Sequence, residues 1–173
     1  MDSPTVIKFY DKTDKYFEFS NFYMAPVEID GKIYPSSEHA YQAFKFLGPQ
    51  ATERDKEYAE IIRKINTPNK AKILATQKRV GGYKWKTDLN PTIESYSDVK
   101  MRPDWEQVKD DVMRVIVYAK FSQNSKLKEL LLSTGDALIQ EDSTRDYYWG
   151  TGKDGSGKNM LGIILMETRI KLK

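Results

Sequence analysis

The feature that most constrains this chain is a change of period at Ser36-Ser37. Before it the apolar residues alternate, and after it they recur every three to four positions. Val6-Ile7-Lys8-Phe9-Tyr10 reads as a strand. Val27-Glu28-Ile29 and Lys32-Ile33-Tyr34 flank Asp30-Gly31, a two-residue hairpin signal. From Ser36 or Ser37 as cap, a helix begins near Glu38 with Ala40, Phe44 and Leu47 as its apolar stripe. A second spans Glu53 to Ile65, with Tyr58, Ile62 and Ile65 on one face. A third starts at Thr67-Pro68 and stops at Gly81-Gly82. Residues 83 to 102 are aperiodic and read as a structureless, functional stretch.

A fourth helix runs from Trp105 to about Ser122, with Val108, Val112, Val115, Ile116 and Ala119 inward. A short one follows through Leu127, Leu130 and Leu131. Ala137 to Glu141 reads as a strand and Gly150 to Lys158 as a glycine-rich loop. Asn159 caps a last helix whose inward residues are Ile163, Met166 and Ile170. These readings give a helix-rich α+β class. They make residues 1–173 one compact domain with a small N-terminal hairpin or sheet and about five or six helices.

Composition removes several chemistries. Without cysteine there is no thiol nucleophile, disulfide or zinc-thiolate site, and the single histidine, His39, cannot build a two-histidine metal motif. The formal charge of +3 is too small to imply nucleic-acid binding by itself. The N-terminus carries no secretory signal and no apolar run reaches the ~18 residues of a membrane span, so the expected location is cytoplasmic, or nuclear in a eukaryote.

Two glycine motifs fail on context. Gly150-Thr151-Gly152-Lys153-Asp154-Gly155 matches G-x-G-x-x-G, but too little chain follows for a dinucleotide-binding unit. Gly152 to Lys158 spells GxxxxGK, but Asn159 replaces the magnesium-binding hydroxyl. A glycine loop entering a helix N-terminus still offers backbone N–H groups to phosphate; the alternative is an ordinary turn.

Glu38, Tyr41, Gln42 and Lys45 fall at i, i+3, i+4 and i+7, on one helix face. Such a face is either solvated or lines a site, while a lone His39 reads as a structural hydrogen-bonder rather than a base. A second dense region, Asp146-Tyr147-Tyr148-Trp149-Gly150, leads into the glycine loop.

In chain order, Phe19-Ser20-Asn21-Phe22, Ser37-Glu38-His39 with Gln42 and Lys45, Asp104-Trp105, Met113 with Lys120-Phe121, Thr134-Gly135-Asp136, Asp146 with Trp149-Gly150, and Asn159-Met160-Leu161-Gly162 through Arg169 together resemble the NADAR superfamily. The resemblance covers residues 6 to 170 and departs at 81 to 102, where Tyr83-Lys84-Trp85-Lys86 mixes cations with aromatics. It implies a compact α-rich fold and hydrolysis of N-glycosidic bonds. The implied substrates are ADP-ribose attached to a guanine amino group, free or in nucleic acid, or phosphoribosylamino-pyrimidine intermediates of riboflavin synthesis.

By position the resemblance implies Glu38, Lys45 and Asp146 as catalytic candidates, with Glu38 leading. The substrate-binding candidates are Asn21, Phe22, Gln42, Trp105, Lys120, Asp136, Trp149, Gly150, Gly152 and Asn159. Trp105 or Trp149 would stack on the base, and the phosphates would meet the 150–158 loop beside Lys120 or Lys158. No metal or cofactor is expected. The competing readings are a non-catalytic ADP-ribose reader and, weakest, a basic nucleic-acid-binding module.

Overall fold

The structure, a computed structural model, describes residues 5–80 and 87–173. The expected Gly81-Gly82 helix stop and the Tyr83-Lys84-Trp85-Lys86 segment lie outside the described residues. In chain order the elements are β1 (Val6–Phe9), β2 (Val27–Ile29), β3 (Lys32–Tyr34), α1 (Ser37–Phe44), α2 (Glu53–Lys64), α3 (Pro68–Val80), α4 (Asn90–Ser95), α5 (Trp105–Ser122), α6 (Ser125–Ser133), β4 (Leu138–Glu141) and α7 (Met160–Leu172). A 3-10 turn occupies Phe17–Phe19. The helix-rich α+β class holds, with seven α-helices among the described residues.

The chain divides into two compact units, residues 24–112 and residues 1–23 with 113–173. The boundary falls inside α5.

In the unit of residues 24–112, β2 and β3 pair antiparallel, Val27 opposite Tyr34. Asp30 (φ 52°) and Gly31 (φ 74°) both take the left-handed conformation that the tight hairpin turn needs. Helix α1 packs on α2 and α3. Thr52 and Asp55 form a reciprocal capping box at the start of α2, and the Thr67 hydroxyl accepts from Lys70 N–H at the start of α3. Tyr58, Ile62, Ala71 and Leu74 are buried, and the Tyr58 hydroxyl donates to Leu74 O at 2.9 Å. The stretch expected to be structureless contains α4, whose Ile93 is buried. Six residues make fewer than two turns, too short to display a period.

In the other unit β1 pairs parallel with β4, Ile7 opposite Ile139. The N-terminal strand therefore finds its partner near the other end of the chain, in a separate sheet from the hairpin. Helix α7 packs on β4 and α6. Phe9, Phe19 and Phe121 form an edge-to-face chain with centroids 5.9 Å apart at each step.

Two inward faces are corrected. On α5 the buried apolar residues are Trp105, Met113, Ile116, Val117, Ala119 and Phe121, whereas Val115 is 55% exposed. On α7 the buried apolar side chains are Leu161, Ile164, Leu165 and Leu172, with Thr168 and Arg169 buried beside them, whereas Ile170 is 69% exposed and Ile163 is on the surface as well. Apolar residues occur almost all round both helices, so several phases fit the sequence and packing selects one.

Candidate functional site

The polar face of α1 is buried, which excludes the solvated reading. Ser36 caps the helix, its hydroxyl accepting from His39 N–H at 3.3 Å. His39 is fully buried: its Nδ1 lies 2.7 Å from Ser36 Oγ, and its Nε2 lies 2.9 Å from Ile65 O. A carbonyl only accepts, so Nε2 carries the proton and Nδ1 accepts from the serine hydroxyl. Burial lowers the His39 pKa below its usual 6.5, although the Ile65 contact opposes the shift. His39 is a structural hydrogen-bonder that ties α1 to the residue ending α2.

Glu38, Gln42 and Lys45 are 6%, 3% and 7% exposed. Gln42 Nε2 donates to Glu38 Oε1 at 2.6 Å, the i to i+4 pairing that the spacing predicts. A carboxylate taken out of water needs such donors. The same amide leaves its Oε1 buried with no partner among the described residues, as does the Ser37 hydroxyl. Unpaired acceptors beside a buried carboxylate are positions where a hydroxyl or amine of a ligand is favoured.

Lys45 follows the last residue of α1. Its Nζ lies 5.0 Å from the Tyr41 ring centroid and 5.8 Å from that of Trp105, and those rings meet edge-on at 5.1 Å. Two ring faces attract a cation in place of water. Trp105, the first residue of α5, is 3% exposed. The structure thus brings Glu38, Gln42, Lys45 and Trp105 into one neighbourhood. It adds Tyr41 as the aromatic partner, which the sequence had placed on this face without a role. A cavity of about 440 Å³ in the same unit is walled by Phe46, Met101, Arg102, Pro103 and Asp104 among others, but not by Glu38, Gln42 or Lys45.

The remaining candidates belong to the other unit. Asn21 is 8% exposed, with Nδ2 3.5 Å from Met113 Sδ and Oδ1 buried without a partner among the described residues. Phe22 is half-buried and its N–H donates to Ser20 Oγ. Asp136 lies in the turn after α6, its side chain 98% exposed and 3.5 Å from Lys173. Trp149 is half-buried, edge-on to Tyr148.

Lys120 is not where a phosphate ligand would meet it. It is 1% exposed, and Nζ donates to Glu18 O at 2.6 Å and Ser20 O at 2.9 Å. Burial lowers its pKa from 10.5 to about 7, while the Glu18 carboxylate pulls the other way. Lys120 pins the 3-10 turn that precedes Asn21.

The glycine loop is also corrected. Met160 N–H and Leu161 N–H, in the first turn of α7, donate to Tyr148 O and Trp149 O. Thr151, Gly152, Gly157, Lys158 and Asn159 likewise donate their N–H groups to carbonyls between Glu141 and Thr151. These donors, the first turn of α7 included, are therefore taken by the protein's own carbonyls. Asn159 sits at the cap with φ 52° but makes no side-chain cap bond; its Nδ2 donates to Ile139 O and its Oδ1 accepts from Glu141 N–H. Asp146 Oδ1 accepts from the N–H groups of Tyr148 (2.9 Å) and Trp149 (2.7 Å), holding the turn before Gly150. Side chains at Gly150 and Gly152 would collide with Glu141 O and the Tyr147 ring, which explains both glycines by packing.

Among the described residues no group of three His, Asp or Glu could hold a metal ion, and no helix is long and apolar enough to cross a membrane.

The NADAR domain profile matches residues 8–173. N-glycosidase YbiA of Escherichia coli (strain K12) is 40% identical over 168 residues, covering 97% of this chain and 89% of that protein. N-glycosidase Npun_R5314 of Nostoc punctiforme is 32% identical, covering 96% and 92%. Riboflavin biosynthesis protein VVA0006 of Vibrio vulnificus is 34% identical over all of this chain, which spans 40% of that longer protein. The NMR structure of the E. coli protein YbiA superimposes with a TM-score of 0.74 at 38% identity, covering 99% of this chain and 87% of that one. The chain belongs to the NADAR family and is one of its N-glycosidases.

Proposed function

We propose that the chain hydrolyses the bond between C1 of a phosphorylated ribose and an exocyclic amine, and that its substrate is ADP-ribosylated guanine. The observation that carries the reading is the buried face of α1, with Glu38 held by Gln42 and Lys45 between two aromatic rings. As the C1–N bond breaks, its electron pair leaves with nitrogen and positive charge grows at C1. Glu38 stabilises that charge or takes a proton from the attacking water, whose oxygen becomes the C1 hydroxyl; the departing nitrogen gains a proton. General acid–base help of this kind contributes roughly 10²–10⁴-fold.

Lys45 offers a second route. Once the ribose has opened to an imine, a neutral Lys45 Nζ bonds to C1 and the amine leaves; water then releases the sugar and regenerates the lysine. Borohydride added during turnover traps that adduct. An active enzyme that yields no adduct takes the direct route.

The alternative substrate is a phosphoribosylamino-pyrimidine, favoured by the relative named as a riboflavin biosynthesis protein. Both substrates carry the ribose phosphate and the exocyclic amine. Incubation with ADP-ribosylated guanosine and with the pyrimidine compound, reading the released sugar by mass, decides between them. If the guanine is part of a nucleic acid, turnover on modified DNA or RNA falls steeply with salt. Such a substrate places the enzyme in the cytoplasm, or in the nucleus of a eukaryote.

A further inference from the structure

We infer that Arg102 is a positioning residue for the reaction: it ties the end of α1 to the start of α5 and so sets Trp105 against Lys45. This rests on the reading that Lys45 and Trp105 stand at the reacting centre.

A helix leaves its last carbonyls without intrahelical partners. Beyond α1, Lys45 O accepts from Arg102 N–H at 2.8 Å, and Leu47 O accepts from Arg102 Nη1 at 3.1 Å. The rest of the guanidinium fork grips Asp104, with Nε to Oδ1 at 2.6 Å and Nη2 to Oδ2 at 2.7 Å. Asp104 immediately precedes Trp105, its O accepts from Gln107 and Val108 N–H in the first turn of α5, and Trp105 N–H donates to Arg102 O. One residue thereby holds both ends: its backbone N–H binds Lys45 O, and its side chain joins Leu47 O, two residues on, to the residue that launches Trp105.

The arginine side chain is 13% exposed and that of Asp104 43%, so the arginine end of the pair is shielded while the carboxylate meets water, and each partner favours the other's charge. Gly48 lets it pass: a Cβ there would lie 3.2 Å from both Arg102 Cβ and Nε. Lysine cannot reproduce the arrangement, because one ammonium cannot serve Leu47 O and both Asp104 oxygens in a planar fork. A displacement near 1 Å at a reacting centre costs up to about 10²-fold in rate.

The test compares Arg102→Lys, Asp104→Ala and their combination with Tyr58→Phe, which removes a buried hydrogen bond elsewhere in the same unit. The probe is ADP-ribosylated guanosine, with the phosphoribosylamino-pyrimidine in a parallel arm. Arg102→Lys should lower kcat about tenfold or more, keep KM within about threefold, and cost no more melting temperature than Tyr58→Phe. The double variant should lose no more kcat than the worse single one. The Trp105 indole NMR resonance, assigned with Trp105→Phe, should move in Arg102→Lys and stay in Tyr58→Phe. Wild-type kcat in Arg102→Lys, a kcat loss matched by Tyr58→Phe, or an unmoved indole resonance overturns the inference. If Lys45→Ala and Trp105→Phe keep full turnover, the assignment of the reacting centre has failed instead. The indole resonance still decides whether Arg102 sets Trp105.

Discussion

Replacing Lys120 by methionine separates the lysine's charge from its hydrogen bonds, and pH reads the two apart. Methionine keeps most of the volume but offers nothing to Glu18 O or Ser20 O, which now accept at 2.6 and 2.9 Å. An orphaned buried carbonyl costs roughly 1–3 kcal/mol, so losing the donor to both is on the order of 2–6 kcal/mol where the native amine is neutral. In the native state Lys120 releases its proton near pH 7, whereas the unfolded chain holds it to about 10.5. Between these values the unfolded state binds more protons, so the lysine's contribution to stability grows as pH rises and is lowest below about 7. The slope approaches about 1.4 kcal/mol per pH step once the native amine is neutral, or roughly 2 kcal/mol from pH 7 to 9. Urea unfolding followed by circular dichroism at pH 6 to 9 should show wild type above Lys120→Met at pH 9, with the gap narrower by roughly 2 kcal/mol at pH 6. A gap that does not change with pH would refute the reasoning.

Other perturbations give sharp outcomes. Gly162→Ala should lower stability by about 3 kcal/mol or more, because its Cβ would lie 2.1 Å from Ile139 O; Gly155→Ala, with nothing nearby but φ +78°, should cost about 1–2 kcal/mol. Thermal melts compare them, and equal losses would contradict the packing argument. Burial lowers the His39 pKa, so as pH falls through 6.5 the unfolded chain takes up a proton before the folded one does and stability falls. His39→Asn should flatten that acid limb in a urea titration. Asp146→Ala should free Tyr148 and Trp149 N–H, seen as faster hydrogen exchange at those two amides.

What the sequence made legible follows the range of each interaction. The Asp30-Gly31 hairpin, the Thr67-Pro68 helix start and the Glu38–Gln42 pair are local, and residue type with spacing settles them. The pairing of β1 with β4 spans most of the chain and leaves no local mark. The face of α7 was misread because isoleucines occur on both sides of it, Ile164 buried and Ile163 and Ile170 exposed, and only packing chooses. The glycine loop was misread because spacing cannot tell whether its N–H groups face a ligand or, as here, carbonyls of its own turn. Arg102 was missed for a similar reason: its partners Lys45 and Leu47 are distant in sequence.

Glu38→Gln tests the central claim most directly, since glutamine keeps the shape and the burial but removes the charge. Sugar release from ADP-ribosylated guanosine and from the phosphoribosylamino-pyrimidine should fall about 10²–10⁴-fold, with substrate affinity held within a few-fold of wild type. Release at the wild-type rate would contradict the account, because a buried carboxylate without a part in the chemistry has no charge whose loss turnover could report.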